Sequence, residues 1–209
     1  MLELAILGAL KERPMHGYEL KKRLTYLLGH LWKISFGSLY PALKRLESKD
    51  AIEKAYTVKE KTRNRYVYRI TQEGEDFFQG LLVNTQKSSD ITDSDKFNVR
   101  LAFFQYMEPE MRLRLLEKRR NYLEEKLGEM RKIVKPRYKD SDSYRQGLYR
   151  HGQEMMQSDI AWLNGMIEQE KGFIQERKDG REPPENEEKG GENLAIEKKP
   201  LDSITTLQA

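Results

Sequence analysis

Along residues 1–70 the spacing of apolar side chains changes period once, at Asp50, from the roughly 3.6 residues of a helix to the 2 of a strand. A chain patterned this way places a hairpin directly behind its first helices. Leu2, Ile6, Leu7 and Leu10 make a first short helix, which Lys11-Glu12-Arg13-Pro14 ends because Pro14 pushes its predecessor out of helical space. His16-Gly17-Tyr18 opens a second, with Leu20, Leu24, Leu27 and Leu31 inside and Lys21, Lys22 and Arg23 outside. Gly29 breaks it, and Trp32-Lys33-Ile34 leads into a third. Past Asp50, Ile52–Tyr56 and Tyr66–Ile70 read as strands joined by the polar, mostly basic tip Thr57–Arg65. Helices followed by a basic hairpin are the layout of a winged helix-turn-helix.

The third helix carries the chemistry. Leu39, Ala42, Leu43 and Leu46 fall at the spacing of a buried stripe. Ser38, Tyr40, Lys44 and Arg45 share the opposite face, as hydrogen-bonding and cationic groups suited to phosphates and base edges. Pro41 fits if Ser38 is the N-cap, since its missing N–H then falls among the donors that a helix leaves unpaired. In the hairpin tip, Lys59, Lys61, Arg63 and Arg65 are placed to follow a phosphate backbone or to enter a minor groove.

Thr71 caps a fourth helix, with Glu73 and Glu75 in its first turn and Phe77, Phe78, Leu81 and Leu82 on its apolar face. The polar run Asn84–Asp95 reads as a boundary. It divides the chain into a DNA-binding domain over 1–86, a helical domain over 95–176, and a tail over 177–209 whose composition is that of a disordered segment. Phe97, Leu101, Phe104 and Met107 form a stripe ending at Glu108-Pro109. Leu113, Leu116, Arg120, Leu123, Leu127, Met130 and Val134 follow at alternating spacings of three and four, a heptad seam closed by Pro136. A last helix over 141–176 carries Tyr144, Leu148, His151, Met155 and Trp162 on one face. Leu113, Leu116, Leu123, Leu127, Met130 and Trp162 are the candidate dimerisation residues. An antiparallel hairpin within the chain is the other use for the seam, and the two are compatible.

Charge supports the division. Residues 1–70 carry 15 Lys and Arg against 7 Asp and Glu, a net +8, which leaves −4 for the rest of a chain whose total is +4. A cationic end and a mildly acidic end suggest one nucleic-acid face and one partner face. The absence of cysteine excludes disulfides and thiolate chemistry and suits a reducing compartment. No apolar run is long enough for a bilayer, and Leu2–Leu10 lacks the flanks of a signal peptide. A cytoplasmic protein is expected. His16, His30 and His151 belong to no metal-ligand spacing, and no phosphate loop or nucleophile elbow occurs. Neither enzyme activity nor a cofactor is called for. Phe97, Phe103, Phe104, Tyr106 and Trp162 could line an aromatic slot, although such stripes are usually core. The rival reading is a coiled-coil adaptor, which explains the seam but leaves the basic hairpin and the Tyr40 face without a purpose.

With these residues in view, the chain resembles the PadR family of bacterial transcriptional regulators. Leu4-Ala5-Ile6-Leu7-Gly8, His16-Gly17-Tyr18-Glu19-Leu20, Gly37–Leu46, and Tyr68-Arg69-Ile70-Thr71 with Gly74 carry the resemblance, in order, over residues 1–80. The helical half is like the larger-domain branch of that family. One departure is Asp50-Ala51, where the family usually has Gly before the first strand; Asp tolerates left-handed geometry better than most residues. The resemblance implies a homodimer on an inverted-repeat operator in duplex DNA, mostly acting as a repressor. Some such regulators are released by a small ligand held between the two halves. It implies DNA contacts from Tyr40 and Lys44, from Tyr18 at the start of the second helix, and from Arg63 and Arg65 in the wing; the polar face of the third helix adds Ser38 to these candidates.

Overall fold

The computed structural model describes residues 1–29, 34–60, 63–84, 89–137 and 142–180. His30, Leu31, Trp32, Lys33, Lys61 and the tail from 181 lie outside the described residues, as do the side chains of Lys59, Arg63 and Val134.

The centre of the fold is α1 (Leu2–Glu12), whose residues from Leu4 to Leu10 are all buried. Around it stand α2 (Gly17–Leu28), α3 (Phe36–Glu47), α4 (Gln72–Val83) and a three-stranded antiparallel sheet in the order β1-β3-β2. The added strand, β1 (Met15–His16), pairs with Val67 and Tyr68 of β3; two residues are too few to show a period in sequence. The hairpin strands β2 (Ile52–Glu60) and β3 (Arg63–Ile70) run well into the expected polar tip, pairing as far as Glu60 with Arg63. Strand pairing is made by backbone groups, so it continues beyond the reach of the core, where apolar alternation has stopped.

Two helical details differ from the spacing argument. In α2, Leu28 is buried and Leu27 only half-buried; the two straddle the stripe, and the neighbouring helix decides which is covered. In α3 the N-cap is Ser35, one turn before Ser38, and its hydroxyl accepts the Ser38 N–H at 3.2 Å. Pro41 is therefore inside the helix, where it cannot donate to the Gly37 carbonyl. Phe36 and Gly37 are exposed, so the first turn adds nothing to the apolar stripe from which the start was read.

Asp50 has a φ of 54°, the left-handed geometry expected of it, and its carbonyl accepts the Thr71 hydroxyl at 2.5 Å. Thr71 caps α4 by accepting the Gly74 N–H at 3.0 Å. A Cβ on Gly74 would stand 1.9 Å from the Ala51 carbonyl oxygen, so this crossing of α4 over the turn before β2 requires glycine.

Beyond α4 come α5 (Ser89–Thr92), α6 (Ser94–Leu101), a 3-10 turn at Phe104–Tyr106, α7 (Pro109–Arg137) and α8 (Ser143–Lys178). Phe103 packs against Gly8 of α1 and edge-on against Phe78 of α4, and Phe97 lies edge-on to Phe104. These rings are core: Phe97, Phe103 and Phe104 are all buried, whereas Trp162 is 50% exposed on α8. The helices α7 and α8 pair within the chain. Leu116, Leu123 and Leu127 are buried there, Leu113 and Met130 are half-buried, and Met130 touches Gly152. Arg119, not Arg120, occupies the buried polar position of α7. Its guanidinium donates to the carbonyls of Ile91 and Thr92, both at 2.7 Å, and to the Ser94 hydroxyl at 2.6 Å. Such partners are distant in sequence and leave no trace in spacing. No helix among the described residues is long and apolar enough to cross a membrane.

Candidate nucleic-acid interface

On α3 the buried stripe of Leu39, Ala42, Leu43 and Leu46 leaves Gly37, Pro41 and Lys44 as the outermost ridge, at about 100° per residue. Phe36 and Tyr40 lie on the side facing α2, and Ser38 and Arg45 on the other. The two edges are fixed differently.

Across the α2 edge, His16 caps the helix reciprocally: its Nδ1 accepts the Glu19 N–H at 3.2 Å, and the Glu19 carboxylate accepts the His16 N–H at 3.3 Å. This holds Gly17 and Tyr18 against α3. A Cβ on Gly17 would lie 3.0 Å from the Tyr40 hydroxyl and 3.2 Å from its ring, so glycine lets Tyr40 lie across the start of α2. Tyr18, Phe36 and Tyr40 form a row of rings, with centroids 6.4 and 6.1 Å apart and planes within 26° of parallel. The Lys21 ammonium stands 4.1 Å from the Phe36 centroid. A shallow groove of about 430 Å³ beside them is lined by Tyr18, Lys21, Lys22, Thr25, Tyr26 and Phe36.

Across the other edge, Arg45 donates to Glu3 of α1 at 3.1 Å, and Lys49 to the same carboxylate at 3.3 Å. Burial pushes the Glu3 carboxyl up, but these hydrogen bonds and charges outweigh it and hold the group below the ordinary 4.5. Ser38 is exposed but turns back on its own helix, its hydroxyl donating to the Ser35 carbonyl at 3.0 Å. Of the four polar residues assigned to one face, Arg45 is thus tied to α1. Lys44 makes no ion pair with any described residue, and neither does Lys22.

The hairpin starts beside this surface. Lys54 of β2 reaches Glu47 of α3 at 2.7 Å and lies 4.9 Å from the Tyr66 centroid. Arg69 and Glu53 form a cross-strand ion pair. Burial raises the Tyr68 hydroxyl pKa, Lys54 opposes it, and Glu47 and Tyr40 add to the rise. The start of β2 is thus tied to the end of α3 through Lys54 and Glu47. Arg65 is exposed farther along β3, and Arg63 begins that strand. Sequence reasoning missed Phe36. The available signal was an aromatic residue outside the buried stripe, at the start of a helix.

Three helices with an attached hairpin define a winged helix-turn-helix, here continued by a long helical hairpin. Residues 6–80 match the model of the transcriptional regulator PadR-like family, and residues 95–170 that of the virulence activator alpha C-terminal region. The chain belongs to the PadR-like family of transcriptional regulators, a family of regulators rather than enzymes, in its form with the virulence-activator type of C-terminal half. The negative transcriptional regulator PadR of Bacillus subtilis (strain 168) is 26% identical over 103 residues, or 49% of this chain and 56% of that protein. The match thus spans little more than half of that curated relative's length. The crystal structure of Bacillus subtilis PadR in complex with operator DNA is 19% identical, with a TM-score of 0.41, over 81% of this chain and 98% of that one. A transcriptional regulator from Clostridium thermocellum is 35% identical, with a TM-score of 0.35, over 37% of this chain and 75% of that one.

Proposed function

We propose that this chain is a repressor that binds an inverted-repeat operator in duplex DNA as a homodimer. The observation that carries the reading is the exposed side of α3, where Tyr40, on the edge toward α2, and Lys44, on the outer ridge, stand one turn apart with the Lys44 ammonium unpaired among the described residues. Neighbouring cations are committed inside the chain: Arg45 and Lys49 to Glu3, Lys54 to Glu47, and Arg69 to Glu53. An unpaired ammonium on the most prominent helix of a +8 segment is suited to a phosphate or a guanine edge. Ser38 supports the first turn, Tyr18 follows the backbone beside it, and Arg63 and Arg65 extend the contact through the wing.

The homodimer is proposed on the outer face of α8. Tyr144, Leu148, Met155 and Trp162 lie there, at least half exposed, about a quarter-turn or more from the Leu163 and Ile167 face that meets α7. Leu116, Leu123 and Leu127 stiffen this interface from behind, while Leu113 and Met130 border it. The proposal includes no preformed effector seat among Phe97, Phe103 and Phe104, whose rings already fill core.

Fluorescence anisotropy with duplexes selected from a random pool by the full-length protein tests the reading. Affinity should fall steeply between two salt concentrations. Lys44→Gln should weaken binding about tenfold and lower the salt slope by about one, with an unchanged melting temperature. Tyr40→Ala should weaken binding similarly. Negligible binding at both salt concentrations would favour the adaptor and overturn the proposal.

A further inference from the structure

We propose that Phe36 reads sequence at the start of α3, packing its exposed ring edge on the C5-methyl group of a thymine in the major groove. The inference rests on the DNA-binding reading above and adds to it the residue that selects a base.

Phe36 is the first residue of α3, and the N-terminal residues of a recognition helix are those that reach base edges. It is an apolar ring left 38% exposed among polar neighbours. The chain gains little helix stability from it, since phenylalanine is an ordinary helix former and this end is already capped by Ser35. Nor can the ring turn away. Tyr18 and Tyr40 flank it at 6.4 and 6.1 Å, and Lys21 sits 4.1 Å above its centroid. An orientation held on three sides is a preorganised contact, made without ordering a loose side chain on binding.

The chemistry names the ligand. Among the base edges of the major groove, the thymine methyl is the apolar group available to a hydrocarbon ring. The flanking groups suit what surrounds such a methyl. Lys22, unpaired among the described residues, and the exposed Tyr26 line the groove beside Phe36, where a backbone phosphate next to that thymine would pass. A bracing role for Tyr40 is the competing explanation, and it makes a different prediction. A brace should matter equally for every duplex.

The test uses the full-length protein and duplexes selected by it from a random pool. Each thymine of the selected sequence is replaced in turn by deoxyuridine, which removes only the methyl. One position per half-site should then lose about three- to fivefold in affinity, the value of one buried methyl. Phe36→Ala should bind the thymine and deoxyuridine duplexes equally, while Phe36→Leu should keep part of the difference. Melting temperatures identify any variant that fails to fold; if Phe36→Ala fails, Phe36→Leu, which keeps an apolar side chain, assigns the contact by its reduced methyl difference. If deoxyuridine is neutral at every position while salt-sensitive binding persists, the Phe36 inference is overturned and DNA binding stands. If Phe36→Ala weakens both duplexes alike and keeps the full methyl effect, Phe36 is a brace. If no duplex is enriched, the underlying reading fails.

Discussion

Arg100 is the residue on which the join between the two halves depends. Its side chain is 1% exposed, and its guanidinium donates to the carbonyls of Leu82 at 2.9 Å, Asn84 at 3.0 Å, and Leu81 and Asp90 at 3.3 Å. Carbonyls at the end of α4 have no partners within the helix, so one planar cation satisfies what the helix leaves open. Burial pushes its pKa down, with Asp90 opposing, and the five fixed donors of arginine make the arrangement possible. Arg100→Met removes the donors and leaves buried acceptors, and should cost about 3 kcal/mol in urea unfolding. Arg100→Lys should recover only part of that, because an ammonium cannot reach four carbonyls. Equal stability of wild type and Arg100→Met would mean that the carbonyls find other partners. The sequence offered one clue: an arginine three residues after Phe97, on an otherwise apolar face.

At the scale of elements, α3 is held from both edges while its ridge is left open. Tyr40 lies across Gly17 on one side, and Glu3 gathers Arg45 and Lys49 on the other. Because the folded Glu3 pKa lies below its unfolded value of 4.5, its contribution is complete above pH 4.5 and lost as pH falls through the folded value. Glu3→Gln should therefore melt below wild type at pH 7, and the gap should close toward pH 3. A gap of constant size would remove this carboxylate from the stability of the α1–α3 contact. The long helices show where periodicity stops being informative. Leu116, Leu123 and Leu127 fit a heptad, but Leu115 and Arg119 are also buried because the Ile91–Ser94 segment crosses α7 beside them. A helix with neighbours on two sides obeys neither side's repeat alone.

For the whole molecule, the proposed dimer depends on the second apolar face of α8. Tyr144 is 89% and Leu148 70% exposed, an arrangement that is costly for a helix left in water. Leu148→Glu adds a charge at a side chain that is 70% exposed, so folding should be unaffected. Sedimentation should then report a monomer. Affinity for the selected duplex should fall by about 100-fold, since two linked recognition helices no longer bind together. A dimer that survives this change would place the contact elsewhere.

The sequence by itself determined the order of the helices α1 to α4 and the β2–β3 hairpin, the buried stripe of α3, the turn at Asp50 and the cap at Thr71. Each of these is a local matter of period, φ or a hydrogen bond spanning three residues. Only the tertiary structure decided that Arg45 is spent on Glu3 while Lys44 stays open, and that Phe36 is clamped between Tyr18 and Tyr40. Those outcomes depend on which distant groups arrive within about 3–6 Å, and spacing along one element carries no record of what lies across from it.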